Sequence, residues 1–305
     1  MVTLGDWQGT FTGENGHKGA VWEARLSPDA TIAATASADF SAKIWDATTG
    51  QCLTTLPHSH IVRTVDLSPS SSTTAPYQIR VLTAGHEKLI RLWDLADAPR
   101  DGSEALATSA SVHGFVDRAL EREGLGNVSH RGTVKKVVWD EGRGQVVSMG
   151  EDRLIKWWDL GSFEKIHEMK LSDEGVISSM EKSHDGQFLA ITTGNQIVFL
   201  DLASRLPLFS HTLAFSPSSA SLHPIHRDSY ITGSLDDEWV RVHSVRDGGK
   251  VVEVGKGHHG PVHQVSWTPD GEAYASGSED GTIRLWQTTP KNYGLWRVND
   301  EVGES

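Results

Sequence analysis

A short motif recurs at a regular interval along this chain, and that recurrence limits the fold more than any other feature. From Ala33 to Asp46 the chain runs through small residues and a turn aspartate, Asp39, and reaches Trp45-Asp46 six positions later. Ala275 to Gln287 repeats the pattern with Asp280 and Trp286. Leu82 to Asp94 carries Glu87 where the aspartate belongs and ends in Trp93-Asp94, while Val147 to Asp159 has Asp152 and ends in Trp158-Asp159. Two copies are degraded. Ile191 to Asp201 closes on Leu200-Asp201 without the turn aspartate, and Ile231 to Val245 offers Asp236 or Asp237 but no Trp-Asp, leaving its register open by one residue. A histidine precedes each good copy, with valine four residues on: His17 and Val21, His58 and Val62, His130 and Val134, His258 and Val262. Counted between Trp45, Trp93, Trp158, Leu200, position 243 and Trp286, the intervals are 48, 65, 42, 43 and 43 residues. The interval of 65 residues contains an insertion.

Apolar or alternating runs at Ile79 to Leu82, Leu89 to Leu92, Val134 to Val138 and Val262 to Trp267, bounded by Gly, Ser, Asp and Pro, read as short strands. A unit of roughly 40 residues built from such strands buries too little surface alone, so copies stack on one another to share a core. Thirty glycines and 11 tryptophans fit strands joined by tight turns rather than a helical bundle. The 28 basic against 40 acidic side chains, net −12, exclude a general grip on a phosphate backbone and leave room only for a local basic patch. Cys52 is the single cysteine, so neither an intrachain disulfide nor a thiolate metal cage is available, and a reducing compartment is expected. No apolar run has the roughly 20 residues of a spanning helix.

Four good copies at one period make the chain resemble the WD-repeat family of β-propellers over nearly its whole length. The fold expected is all-β, one propeller domain over 1–305, of a seven-bladed family with the first blade incomplete: six full blades plus one outer strand. Gly5-Asp6-Trp7-Gln8-Gly9-Thr10-Phe11 is that outer strand in this reading. The alternative is a six-bladed ring in which Tyr293 to Val298 supplies the last outer strand. Residues 96–129 read as a surface insertion with a short helix at Val116 to Glu123, and Ser68 to Pro76 as a lengthened hairpin loop.

The resemblance implies a buried network in each blade, joining the histidine, a Ser or Thr of the second strand, the turn aspartate and the tryptophan. These are His17, Thr35, Asp39 and Trp45; His130, Ser148, Asp152 and Trp158; and His258, Ser276, Asp280 and Trp286. A hydroxyl, an imidazole and a carboxylate also make up a hydrolytic triad. A trio that recurs in several blades is a framework, however, whereas a nucleophile site occurs once. Catalytic residues, cofactor sites and metal sites are therefore expected to be none. The adjacent His258 and His259, and His58 and His60 two apart, lack the spacing of a metal cage. Asp247-Gly248-Gly249 lacks the Lys-Ser/Thr of a phosphate loop.

Further strings, among them His17-Lys18-Gly19-Ala20-Val21-Trp22, Ala220-Ser221-Leu222-His223-Pro224 and Tyr293-Gly294-Leu295-Trp296-Arg297, resemble one non-enzymatic adaptor branch of the family. That branch associates with serine/threonine kinase receptors. The resemblance implies a scaffold in the survival-of-motor-neuron complex supporting spliceosomal small nuclear ribonucleoprotein assembly, contact with a cold-shock-domain RNA-binding protein, and cytoplasmic and nuclear residence. It implies no membrane insertion and only indirect nucleic-acid contact. Subunit i of translation initiation factor three and a ubiquitin-ligase substrate receptor are the alternatives. Family practice places partner contacts on the narrow face, five positions beyond the repeat histidine and just before the turn acid. Here these are Trp22, Arg63, Lys135 and His263, with His86, Glu151 and Glu279. An aromatic and two fixed positive charges around one channel mouth suit an acidic or mixed peptide.

Overall fold

The computed structural model describes residues 15–69, 79–95, 129–171 and 175–287. Strands of five to seven residues, alternating in side-chain direction, pair with their sequence neighbours in simple antiparallel meanders. The first sheet holds β1 (Val21–Leu26), β2 (Ile32–Ser37), β3 (Ser41–Asp46) and β4 (Cys52–Pro57), and the second β5 (Val62–Leu67), β6 (Arg80–Gly85) and β7 (Ile90–Asp94). The third comprises β8 (Val134–Asp140), β9 (Gln145–Gly150), β10 (Leu154–Asp159) and β11 (Lys165–Lys170). A fourth follows with β12 (Ile177–Lys182), β13 (Phe188–Thr193), β14 (Gln196–Asp201) and β15 (Leu206–Thr212). The fifth has β16 (Pro217–Leu222), β17 (Ser229–Ser234), β18 (Val240–Ser244) and β19 (Val251–Gly255), and the sixth β20 (Val262–Trp267), β21 (Ala273–Ser278) and β22 (Ile283–Gln287).

The core is divided among the seams between sheets. Each apolar cluster straddles two consecutive blades: Ile44 and Ala42 of the first meet Val62 and Leu67 of the second, and Ile155 and Trp157 of the third meet Ile177 and Met180 of the fourth. Phe199 similarly reaches Tyr230, and Val242 reaches Trp267. Hydrogen bonds reinforce the seams. Trp139 gives its backbone N–H to the Asp66 carboxylate at 2.8 Å, and Val265 its N–H to Ser219 Oγ at 2.9 Å.

The structure corrects one expectation. Among the described residues it shows six blades, not seven with an incomplete first. The six copies of the motif each fold as one sheet, and the long interval before Trp158 adds no blade among the described residues. The expectation of a seventh blade rests on the one short segment Gly5 to Phe11. That segment, Tyr293 to Val298, the helix expected at Val116 to Glu123 and all of the 96–129 insertion except Ser129 lie outside the described residues.

Candidate interaction face

Three blades contain the full framework network. His17 Nδ1 lies 2.8 Å from Asp39 and Nε2 2.7 Å from Thr35 Oγ1, which in turn accepts the Trp45 indole N–H at 2.8 Å. The corresponding distances are 2.9, 2.7 and 2.8 Å for His130, Asp152, Ser148 and Trp158. They are 3.0, 2.7 and 2.7 Å for His258, Asp280, Ser276 and Trp286. An indole nitrogen can only donate, so each hydroxyl oxygen accepts from it and turns its own proton to Nε2, leaving Nδ1–H for the carboxylate. Burial opposes ionisation of Asp39, but hydrogen bonds from Ser41, the Lys18 N–H and His17 prevail and hold it at about 2. Gly150 is required beside this network, because a Cβ there would stand 2.6 Å from His130 Nδ1.

The other three blades depart from the pattern: the fourth has Leu200 at the tryptophan position, and the second and fifth rebuild the network with other partners. Glu87, one methylene longer than aspartate, gives its carboxylate to the Ser59 N–H and hydroxyl and to Arg91. His58 Nδ1 bonds the Leu56 carbonyl at 3.0 Å instead, and burial pushes the ring down to about 4. In the fifth blade His243 occupies the tryptophan position, bonding Thr232 at 2.9 Å and the Gly249 carbonyl at 2.8 Å.

The narrow-face candidates share a local cause. In β1, β5, β8 and β20 the pairing register slips immediately after the first valine, and the residue skipped is Trp22, Arg63, Lys135 or His263. A bulge leaves its extra residue unpaired and re-aims the side chain. The same slip displaces Ser178 in β12, so the weaker repeat keeps the geometry without a large side chain. The Arg63 guanidinium lies 3.8 Å above the exposed Trp22 ring. Lys135 is tied to Glu151 at 2.8 Å, and that contact with Thr133 overcomes burial to hold Glu151 at about 2. His263 and Glu279, both exposed, face each other at 3.9 Å. His86 stacks on His60 with ring centres 5.0 Å apart. Burial, then the charges of His60 and Arg63, lower its pKa.

Sequence reasoning missed Phe40 and His60. Phe40 is exposed, holds φ at +66°, and meets the His60 ring at 5.5 Å. The last repeat has Gly281 at this turn position, with φ at +75°. A bulky residue in the left-handed region costs about 1 kcal/mol or more, so an aromatic at a glycine position was the available signal. A second missed group fills the axis. Arg25 of β1 reaches Glu181 of β12 at 3.1 Å, Lys136 bridges Glu23 at 2.6 Å and Glu181 at 3.0 Å, and Gln264 of β20 bonds Glu181 at 2.7 Å. Burial opposes the Glu181 charge, but Arg25 and Lys136 hold it at about 2. Among the described residues no cluster of three or more His, Cys, Asp or Glu is arranged to hold a metal.

Comparison with known proteins agrees with this architecture. The repeat described as WD domain, G-beta repeat matches residues 7–46, 50–94 and 249–287. The serine-threonine kinase receptor-associated protein of Homo sapiens is 39% identical over 294 residues, spanning 96% of this chain and 73% of the relative. Its Dictyostelium discoideum counterpart is 39% identical over 284 residues, spanning 93% and 84%. Eukaryotic translation initiation factor 3 subunit I of Culex quinquefasciatus is more distant, 26% identical over 294 residues, spanning 92% and 84%. With its six WD-repeat blades and this identity along nearly its whole length, the chain belongs to the serine-threonine kinase receptor-associated protein family.

Proposed function

We propose that the protein is a non-enzymatic adaptor whose narrow face captures an acidic peptide segment carrying an aromatic or aliphatic side chain. The observation behind this reading is the bulge-splayed pair Trp22 and Arg63, and the exposed Phe40, packed on His60, adds apolar surface. These side chains take no part in the blade framework. The exposed indole and phenyl offer apolar anchoring area, and Arg63, which feels the charges of Glu151 and Glu23 but makes no ion pair with a carboxylate among the described residues, supplies a charge for an acidic side chain. Lys135 contributes less, because Glu151 already neutralises it. The hydroxyls of a triad-like trio are all committed to imidazole and indole partners, which supports a scaffold over an enzyme.

Family membership extends the proposal to the setting. The protein works in ribonucleoprotein assembly, bringing a survival-of-motor-neuron complex together with a cold-shock-domain RNA-binding protein in cytoplasm and nucleus. In organisms that have serine-threonine kinase receptors, it also associates with one. Affinity purification with mass spectrometry tests this reading against the Trp22→Ala, Arg63→Glu double variant. The wild-type chain recovers ribonucleoprotein-assembly components and the variant does not. Recovery of initiation-factor subunits moves the assignment to the more distant relative; equal recovery by the variant removes the narrow face from the account.

A further inference from the structure

The turn of blade 2 docks onto the neighbouring strand at a point where only glycine fits. His86 gives its backbone N–H to the Ile61 carbonyl at 3.0 Å, and a Cβ on the preceding Gly85 would stand 2.3 Å from that carbonyl oxygen and 2.8 Å from the Arg63 nitrogen. The docking brings the His86 ring to two residues that flank Ile61. His60 stacks on it with ring centres 5.0 Å apart, and the charge of Arg63 acts on it as well. All three side chains have donors to give. The Arg63 guanidinium is held 3.8 Å above the Trp22 ring, and among the described residues no oxygen accepts its N–H groups. His60 Nδ1 accepts the Ile61 N–H at 2.8 Å, so the neutral ring carries its proton on Nε2. The ring nitrogens of His86 have no hydrogen-bond partner among the described residues. The nearby acids are already taken: Glu151 by Lys135 at 2.8 Å and the Thr133 N–H at 3.3 Å, Glu23 by Lys136 at 2.6 Å and Arg25 at 3.0 Å.

We propose that Arg63, His86 and His60 form a subsite for a phosphorylated serine or threonine within the peptide segment that the narrow face captures. The inference rests on that reading and names the chemistry of the acidic group. A carboxylate has two oxygens, and the fork of Arg63 alone satisfies them, leaving both imidazoles without an acceptor. A phosphoryl group has three acceptor oxygens and close to two negative charges at neutral pH, which match donors on three side chains. The imidazoles also adapt to it. Each can take a second proton as the dianion approaches, because an opposite charge favours the ionised ring, so the positive charge of the subsite grows with that of its ligand. The exposed Trp22 and Phe40 beside it suit the side chains that flank a phosphorylated residue in a peptide. A nucleic-acid strand fits less well. Its diesters carry one charge each in a long row, and a chain of net −12 with Glu151 and Glu279 on the same face repels such a row.

Three degenerate peptide libraries with a fixed central phosphoserine, glutamate or serine are passed over the immobilised full-length chain, and the retained peptide is quantified. The phosphoserine library is retained about tenfold more than the glutamate library, the worth of one further charge-assisted hydrogen bond. His86→Phe keeps a ring stacked on His60 but removes its nitrogens, and it lowers that ratio to about threefold or less; Arg63→Gln removes the preference altogether. Thermal unfolding of each variant confirms that the blades are intact. Equal retention of the phosphoserine and glutamate libraries overturns the phosphoryl subsite and leaves the narrow-face reading standing. Retention of none of the three overturns both. A tenfold preference that survives both substitutions puts the phosphoryl contact on other residues and overturns the subsite. Displacement of the phosphoserine library by single-stranded RNA as readily as by phenyl phosphate makes the site one for phosphodiesters and likewise overturns the proposal.

Discussion

The seam between blades 4 and 5 and the bare flank of blade 6 are built from the same parts and live in opposite environments. Phe199 and Leu285 hold equivalent positions on the third strands of their sheets, and one is fully buried while the other is nearly half exposed. Their difference lies in the neighbouring blade. Burial in a stacked repeat belongs to the pair of units, so identical sequence patterns carry unequal energies along the chain. Phe199→Ala therefore costs about 3 to 5 kcal/mol through lost burial and a residual cavity. Leu285→Ala costs about 0.5 kcal/mol, the ordinary surface value. Urea unfolding midpoints of the two variants test the contrast, and equal losses mean that the flank of blade 6 is covered in solution.

The framework networks give a smaller version of the same comparison. His130→Ala in blade 3 strands the buried side of Asp152 and the Ser148 hydroxyl, a loss of about 1 to 3 kcal/mol. Glu87→Gln in blade 2 leaves His58 with both its partners, Leu56 and Thr83, and shifts the unfolding midpoint less. A Glu87 effect as large as that of His130 would mean that the glutamate holds the histidine after all.

Blades 2 and 5 answer to acid differently from the three framework blades, because burial lowers His58 and His243 to about 4. The folded His58 titrates at about 4 against an ordinary 6.5, so between those values the unfolded chain binds a proton that the native chain refuses. The stability it contributes is complete above pH 6.5 and is lost as the pH falls toward 4. Glu181 adds a second window, with its contribution complete above 4.5 and lost as the pH falls toward 2. His58→Asn removes part of the upper slope in unfolding midpoint against pH, the rest belonging to His243, which burial also lowers to about 4, and leaves the lower part. A slope unchanged by that substitution assigns the upper window to another group.

Much of this was legible in the sequence, for reasons of range. The His, Ser or Thr, Asp and Trp of one network lie within 28 residues of each other, as His17 and Trp45 do, so a fixed spacing announces them. The axial cluster was silent because Arg25 and Glu181 lie 156 residues apart, and no local pattern encodes a contact between blades 1 and 4. The bulge behind Trp22 was read as a position and not as a geometry, since a register slip needs the partner strand to define it. Ile283 and Ile155 look alike in sequence, and only the blade packed on Ile155, without an equivalent on Ile283 among the described residues, distinguishes them. The glutamate at position 87 was visible, but that one methylene would redirect it to Ser59 and Arg91 was not.

A small stability effect carries the sharpest functional contrast. Trp22 is half exposed, with Arg63 its stacking partner, and a cation–π contact at such a site contributes about 0.5 to 1 kcal/mol. Trp22→Ala should therefore move the unfolding midpoint by no more than that while removing capture of the acidic partner. Trp158→Ala, in the buried framework of blade 3, does the reverse at first order: it destabilises strongly and lowers capture only in proportion to the unfolded fraction. Measuring both midpoint and capture on the two variants separates an anchor from a core residue. If Trp22→Ala lowers the midpoint as far as Trp158→Ala does, the indole is part of the packing, and the bulge that exposes it serves the fold rather than a partner.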